Sequence, residues 1–266
     1  MSRKSQMLLA VDIGNTNITM GAFEGEVLSA TWRLSTEARW QPDEYSVYLH
    51  SLLPMKGVFP GNIDGVVICS VVPPLTAVFE EACKTTFHVT PIVVGAGTKT
   101  GVRVQYEPPR DVGADRVVDA AAAYRLYGGP LVIVDFGTAT VFDAVTADGD
   151  YLGGALFPGI HIALEALIQQ TSQLRRVELV APKSAIGRNT ITALQSGIVF
   201  GHVALVEGMI DRFRKELGEN TRAIATGGLA QLVTTQTDVF YAINPDLTLI
   251  GLRMVYDMNS TGDTSA

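Results

Sequence analysis

Short unbroken apolar runs alternate along this chain with longer segments in which apolar residues return every three or four positions. Leu8-Leu9-Ala10-Val11 runs into Asp12-Ile13 and the polar stretch Gly14-Asn15-Thr16-Asn17, and the chain leaves as Ile18-Thr19-Met20-Gly21-Ala22-Phe23. An apolar run with no helical period predicts a buried strand. Gly-Asn-Thr-Asn predicts a tight hairpin, since Gly and Asn accept the positive φ such turns use. Glu24-Gly25-Glu26 makes a second turn, and Val27 to Leu34 a third antiparallel strand with Trp32 and Leu34 on one face. From Pro42 to Met55 the period becomes helical, with Tyr45, Tyr48, Leu49 and Leu52 on one side and Asp43 and Glu44 at the positive helix start. Gly65 to Cys69 is a buried strand, Pro73-Pro74 opens a helix to about Phe87, and Ile92-Val93-Val94 and Val102 to Tyr106 are short strands.

The plan then returns. Val132-Ile133-Val134-Asp135-Phe136-Gly137-Thr138-Ala139-Thr140-Val141-Phe142 repeats, half a chain later, the order apolar, Asp, apolar, Gly, polar, small, polar, apolar. Strands are expected from Leu131 to Val134, Ala139 to Thr146 and Tyr151 to Leu156, with Asp148-Gly149 as a turn. A helix follows Pro158-Gly159 to about Gln170, its buried side carrying Leu164, Leu167 and Ile168. A long helix runs from Asn189-Thr190 to Leu217, with Asp211/Lys215 and Arg212/Glu216 paired at i,i+4. Ala223 to Thr226 is a strand, Leu229 starts a short helix, Pro245 opens a last one towards Asp257, and residues 259–266 read as a frayed tail. Three strands followed by alternating helices and strands, twice over, predict an α/β fold with mixed sheets in two related domains, 1–120 and 121–266.

Composition narrows the class. Of 266 residues 47% are apolar, ample for a core, and the net charge of −7 argues against a nucleic-acid surface. Cys69 and Cys83 have no metal spacing and the four histidines are scattered, so structural zinc is not expected. The apolar run after the polar N-terminus is too short for a signal-peptide core, and no stretch approaches the roughly 18–20 apolar residues of a membrane span. The expectation is a soluble, cytoplasmic protein with neither nucleic-acid nor membrane partners.

The two Asp-x-Gly hairpins carry the first chemistry. A carboxylate at the rim of a buried strand, beside a turn rich in N–H and hydroxyl groups, suits Mg²⁺ and phosphate oxygens; an ordinary hairpin whose Asp caps its own turn is the plain alternative. Gly95-Ala96-Gly97-Thr98-Lys99-Thr100-Gly101 mimics two phosphate motifs and matches neither, so it reads as a connecting loop. Two such hairpins on two related domains resemble the actin, hexokinase and acetate-kinase superfamily. That resemblance implies two duplicated ribonuclease-H-like domains, the actin-like ATPase fold, with a nucleotide between the two turns.

Two more constellations, Gly113-Ala114-Asp115-Arg116 and Gly187-Arg188-Asn189-Thr190 with Gln195-Ser196-Gly197, join Asp12 to Asn17 and Asp135 to Thr138. Thr171-Ser172-Gln173-Leu174, Val177-Glu178-Leu179 and Thr226-Gly227-Gly228-Leu229 also fit. In this order and spacing, from about Met7 to Met254, the motifs resemble the type III pantothenate kinase family. The resemblance implies ATP-dependent phosphorylation of pantothenate to 4'-phosphopantothenate, the first step of coenzyme A biosynthesis, by a cytoplasmic homodimer. It implies that ATP is held by Asp12, Ile13, Gly14, Asn15, Thr16, Asn17, Ile18, Thr19 and Thr138. Asp115 is then the general base on the pantothenate hydroxyl, with Tyr106, Gly113, Ala114, Arg116 and Thr190 beside the substrate. Asp12 is assigned to Mg²⁺ through water and Asp135 to a monovalent cation, K⁺ or ammonium.

Each position also has a plainer reading. Asp115 in a first helical turn can serve the helix start alone, and Arg116 can pair with Asp119 or Asp111. Asp135 can be a second Mg²⁺-facing carboxylate, Tyr106 a core tyrosine and Thr190 a helix N-cap. The apolar Ile198-to-Ile210 segment supplies either the dimer contact or a buried core helix. Two departures from the family, Arg175 in place of a proline and Ala163 beside His161, bear on the substrate pocket. Two rival functions remain open at this point: a transcriptional accessory factor with this sequence pattern, and a small-molecule kinase with another acceptor.

Overall fold

The computed structural model describes residues 6–171, 174 and 176–260. Ser172, Gln173 and the departure at Arg175 lie outside the described residues, as does the tail beyond Ser260. The chain forms two compact units. One takes the chain up to Gly101, then Glu107–Ala122 and the stretch from Thr248 on; the other takes Val102–Tyr106 and Ala123–Leu247.

In the first unit the strands are β1 (Met7–Ile13), β2 (Asn17–Glu24), β3 (Val27–Ser35), β4 (Ile63–Ser70) and β5 (Ile92–Val93). They form one mixed sheet in the order β3-β2-β1-β4-β5, with β1 antiparallel to β2 and parallel to β4. Helices α1 (Pro42–Leu52) and α2 (Pro73–Phe87) come from the same stretch of chain. The unbroken apolar run of β1 follows from burial on both faces. Its Met7, Leu9, Val11 and Ile13 join the core that includes Tyr45, Leu49 and Phe79 of α1 and α2. Leu8 and Ala10 point the other way, into a second core. That core also holds Val118 from α3 (Ala114–Tyr127) and Leu249, Leu252 and Val255 from the last helix. Asp12 shares the parity of Leu8 and Ala10, so the pleat sends it to the face that α3 covers.

The second unit repeats the plan. Its strands are β6 (Arg103–Val104), β7 (Leu131–Phe136), β8 (Ala139–Val145), β9 (Asp150–Pro158), β10 (Arg222–Thr226) and β11 (Ala242–Ile243). The sheet order is β11-β10-β7-β8-β9-β6. Read from β9 this is third, second, first, fourth, fifth, the order of the first unit, with the short β6 added at the edge. Helices α4 (Ile160–Gln169), α5 (Thr190–Leu217) and α6 (Ala230–Thr234) complete the unit, and the last helix, α7, spans Leu247–Ser260. Val132, Val134 and Phe136 of β7 pack with Ile160, Leu164, Ile198 and Val206 of α4 and α5. Asp135 therefore lies on the opposite face.

Several expectations change. The Asp12 hairpin turn has no positive φ among its residues. Four residues separate paired Ile13 and Ile18, so the loop closes without a left-handed residue. Helix α1 stops at Leu52, and a 3₁₀ turn follows at Pro54–Lys56, where proline withholds its N–H. Of the apolar residues in α4, Leu164 is buried but Leu167 is 43% exposed, because Ile160 takes the inward position instead. Asp211 pairs with Arg214 one turn on (3.7 Å) rather than with Lys215. Asn259 belongs to α7 instead of a frayed tail: its side chain bonds both the N–H (3.1 Å) and the carbonyl (2.8 Å) of Lys99. By length and composition α5 could span a membrane, contrary to the expectation; half of its apolar window is buried within the protein, as in a core helix. Ile198, Val203, Val206 and Ile210 face that core, while Gly197, Gly201 and Gly208 lie outward.

Candidate active site

In the first unit the site grows from the end of β1. The Gly14 N–H donates to the Asn17 carbonyl (3.0 Å), and a Cβ on Gly14 would crowd that same oxygen. Thr36, just past β3, donates its hydroxyl to the Gly14 carbonyl (2.6 Å) and its N–H to the Thr16 carbonyl (3.0 Å). Pinned at both carbonyls, the turn leaves the side chains of Asn15, Thr16 and Asn17 exposed, while Ile13 and Ile18 are wholly buried beneath it. Thr19 lies opposite Asp12 across the hairpin.

Asp12 lies beside Cys69 in the β1–β4 register. Burial pushes the Cys69 thiol well above its ordinary pKa, and the negative charges of Asp12, Asp115 and Asp119 push it further. The thiol is therefore protonated and inert. Asp12, from β1, and Asp115, from α3, are thus both among the charges felt by Cys69 at this end of the sheet. Val71, just past β4, donates its N–H to the Ile13 carbonyl (3.1 Å), and its side chain lies against Gly113.

Asp115 occupies the first turn of α3. Its carboxylate folds back over Gly113, where any Cβ would strike it, and accepts the Arg116 N–H (2.8 Å). This explains the glycine of Gly113-Ala114-Asp115-Arg116. Burial raises the Asp115 pKa, opposed by the Arg116 N–H bond and the Arg116 charge. Among the described residues no three His, Cys, Asp or Glu side chains are placed to hold a metal ion together. A single half-buried carboxylate such as Asp12, beside exposed amide and hydroxyl oxygens, fits Mg²⁺ that keeps most of its water.

In the second unit the corresponding turn is shorter, with three residues between paired Phe136 and Thr140. The Gly137 N–H donates to the Ala139 carbonyl (3.0 Å). Gly159 lies against the Gly137 and Thr138 carbonyls with no room for a Cβ, and its N–H donates to Thr138 (3.1 Å). Gly227, at φ 91°, abuts the Asp135 carboxylate so closely that a side chain there would collide with it. The carboxylate thus meets bare backbone at Gly227 and at Gly137, and a lone carboxylate, a hard oxygen donor, is chemically suited to a weakly hydrated cation. The sequence reads Gly159 as a helix start and Gly227 as part of a family motif, with no role for either at the Asp135 hairpin. Their signal was glycine at a strand end, whose partner only the fold reveals. Behind the turn, buried Thr140 is hydrogen-bonded to His202 of α5 (3.1 Å), and burial lowers the pKa of that histidine.

Tyr106 follows β6, and its ring covers Gly153 of β9, where φ is 103° and no Cβ fits. Thr190 is not the N-cap of α5. That position belongs to Asn189, whose side chain accepts the Thr192 N–H (2.9 Å) in a capping box. Thr190 is the first helical residue, exposed, with its hydroxyl released from the cap. Gly187 is required because its backbone presses against Thr192 and Ala193. Gln195 and Ser196 fasten α5 to the preceding segment through the Glu178 and Ala185 carbonyls (2.8 and 2.6 Å).

Known proteins place this architecture. The sequence model of a family described as type III pantothenate kinase matches residues 8–212. A type III pantothenate kinase of Roseiflexus sp. (strain RS-1) is 49% identical over 253 residues, 95% of this chain and 99% of that one. Among solved structures, a Baf family transcriptional activator of Campylobacter jejuni superposes with a TM-score of 0.61 at 19% identity, over 95% of this chain and 98% of its own. An N-acetylglucosamine kinase of Porphyromonas gingivalis gives 0.51 at 13%, over 96% and 100%. These distant likenesses concern the fold, which is the duplicated ribonuclease-H-like, actin-like ATPase architecture.

Proposed function

The chain belongs to the type III pantothenate kinase family, and from that premise we propose its reaction and the roles of its residues. It is a kinase that transfers the terminal phosphoryl group of ATP to the primary hydroxyl of pantothenate, giving 4'-phosphopantothenate for coenzyme A biosynthesis. The observation that carries the site is geometric: Asp12 pairs with Cys69 in the β1–β4 register, and Val71, just past β4, lies against Gly113, which brings the start of α3 and Asp115 to the Asp12 end of the sheet.

Phosphoryl transfer asks for positioning and charge stabilisation more than covalent chemistry. Asp115 accepts the hydroxyl proton, and burial raises its pKa towards the operating pH, which suits a base. Arg116, beside it, is assigned to the substrate carboxylate, and Gly113 and Ala114 to backbone contacts. Ile13, Gly14, Asn15, Thr16, Asn17, Ile18 and Thr19 form the phosphate turn of the first unit, and Thr138 the contact to ATP in the second. Asp12 would hold Mg²⁺ through water. The ion, when bound, neutralises charge on the phosphates. Asp135, flanked by Gly137 and Gly227, would hold K⁺ or ammonium. Tyr106 and Thr190 line the pantothenate side.

A homodimer fits the second unit, where Leu156, Ile162, Leu167, Ile186 and Ile191 are large, apolar and exposed. The glycines on the outward side of α5 would allow close approach of a second copy. The acidic net charge supports the absence of a nucleic-acid partner, and the use of ATP supports a cytoplasmic location.

The test is ADP formation by the purified chain with ATP and Mg²⁺, with and without pantothenate, in K⁺ and then Na⁺ buffer. Pantothenate-dependent turnover that falls when Na⁺ replaces K⁺ is expected. No pantothenate dependence in K⁺ rejects the acceptor, and equal rates in both salts reject the role given to Asp135.

A further inference from the structure

Among the described residues before Ala123, only the five of Val102–Tyr106 belong to the second unit. They enter it after Gly101 and leave it before Glu107. So short a piece has little to hold it. Its ladder with β9 pairs just Arg103 with Asp150 and Val104 with Tyr151, and β6 is an edge strand. Beyond the ladder, the Arg103 N–H donates to the Gly149 carbonyl (3.0 Å) and the Gln105 N–H to the Tyr151 carbonyl (2.8 Å).

The side chains supply a further anchor. Arg103 Nε donates to Asp150 Oδ1 (2.6 Å) and its Nη2 to Asp150 Oδ2 (3.1 Å). This two-pronged geometry fixes orientation as well as distance. Three residues beyond Arg103, the Tyr106 ring lies on Gly153, and Gly153 is three residues beyond Asp150. The two strands are parallel, so the fork at one end sets the register that lands the ring on its glycine at the other.

From this geometry we infer that the Arg103–Asp150 pair is a positioning device for Tyr106, and through it sets the affinity for the acceptor substrate. The inference rests on the role given to Tyr106 above. Neither Arg103 nor Asp150 needs to touch substrate. An exposed pair of this kind has a modest effect, roughly two- to five-fold in an equilibrium constant.

Steady-state kinetics on the full chain test it, with Arg103→Met, Asp150→Asn, the exchange Arg103→Asp with Asp150→Arg, and Arg103→Met in a Tyr106→Ala background. The expected result is a KM for pantothenate raised roughly two- to five-fold by either single change, with kcat and the KM for ATP held. The exchange should recover most of the loss, and Arg103→Met should add nothing once Tyr106 is truncated. An unchanged pantothenate KM overturns the inference. So do a loss shared equally by kcat and both KM values and additivity with Tyr106→Ala. Absence of pantothenate turnover by the unsubstituted chain overturns the functional reading and this inference with it.

Discussion

Asp115 carries an inverse relation between stability and activity. Burial raises its folded pKa above the ordinary carboxylate value of 3.8. The sign follows from linkage: this group's contribution to stability is complete below 3.8 and is lost as pH rises through the raised folded value. At neutral pH the buried charge therefore costs stability, and Asn, uncharged and of the same shape, removes that cost. Asp115→Asn should lower kcat by about 10²–10⁴-fold while raising the melting temperature at pH 7. The gain should shrink as the pH falls towards 3.8. A variant that melts earlier than the parent at pH 7 would remove the argument from burial; one that turns over normally would remove the base. Gly113 shows the same economy of space from the other side, since the folded-back carboxylate occupies the volume of the missing Cβ.

At the scale of elements, the start of α5 divides two tasks between neighbours. Asn189 caps the helix, and Thr190, one residue on, has its hydroxyl outside the capping box. Asn189→Ala should destabilise the protein by about 0.5–2 kcal/mol, read by denaturant unfolding, with a secondary effect on catalysis. Thr190→Ala should leave unfolding within about 0.5 kcal/mol of the parent and raise the pantothenate KM. The reverse pattern would return Thr190 to the cap. The two Asp-x-Gly hairpins diverge in a comparable way. The first has a four-residue turn tied down by Thr36, and the second a three-residue turn backed by Gly159. One residue more or less in a hairpin changes which backbone groups face outward, which gives a physical basis for assigning the two aspartates different ions.

For the whole molecule, the repeated sheet order of the two units is the plainest sign of duplication. The second unit exposes apolar side chains on β9, α4 and the approach to α5. In the proposed homodimer these residues form the contact. Sedimentation should therefore give a mass twice that of one chain, and Leu156→Asp with Ile162→Asp should shift it towards the monomer. A monomer with full activity would sink the homodimer.

Strand periodicity, the two hairpins and the order of elements were legible in the sequence, because burial on one or both faces of a sheet dictates which positions are apolar. Local signals also gave α2 its opening prolines and its approximate end, and put Asp115 in the first turn of α3. What only the tertiary structure decided depends on contacts between residues far apart in the chain. Asp12 and Cys69 are neighbours because β1 and β4 pair, and Asp115 comes to the same end of the sheet because Gly113, at the start of α3, lies against Val71. Gly159 and Gly227 are glycines because other strands' turns lie against them. Leu167 is exposed because Ile160 and Leu164 already fill the space beneath α4. Periodicity states which side of an element is apolar. Which apolar residue goes inward, and which carboxylate meets which backbone, is settled by packing between elements, where space excludes all but one arrangement.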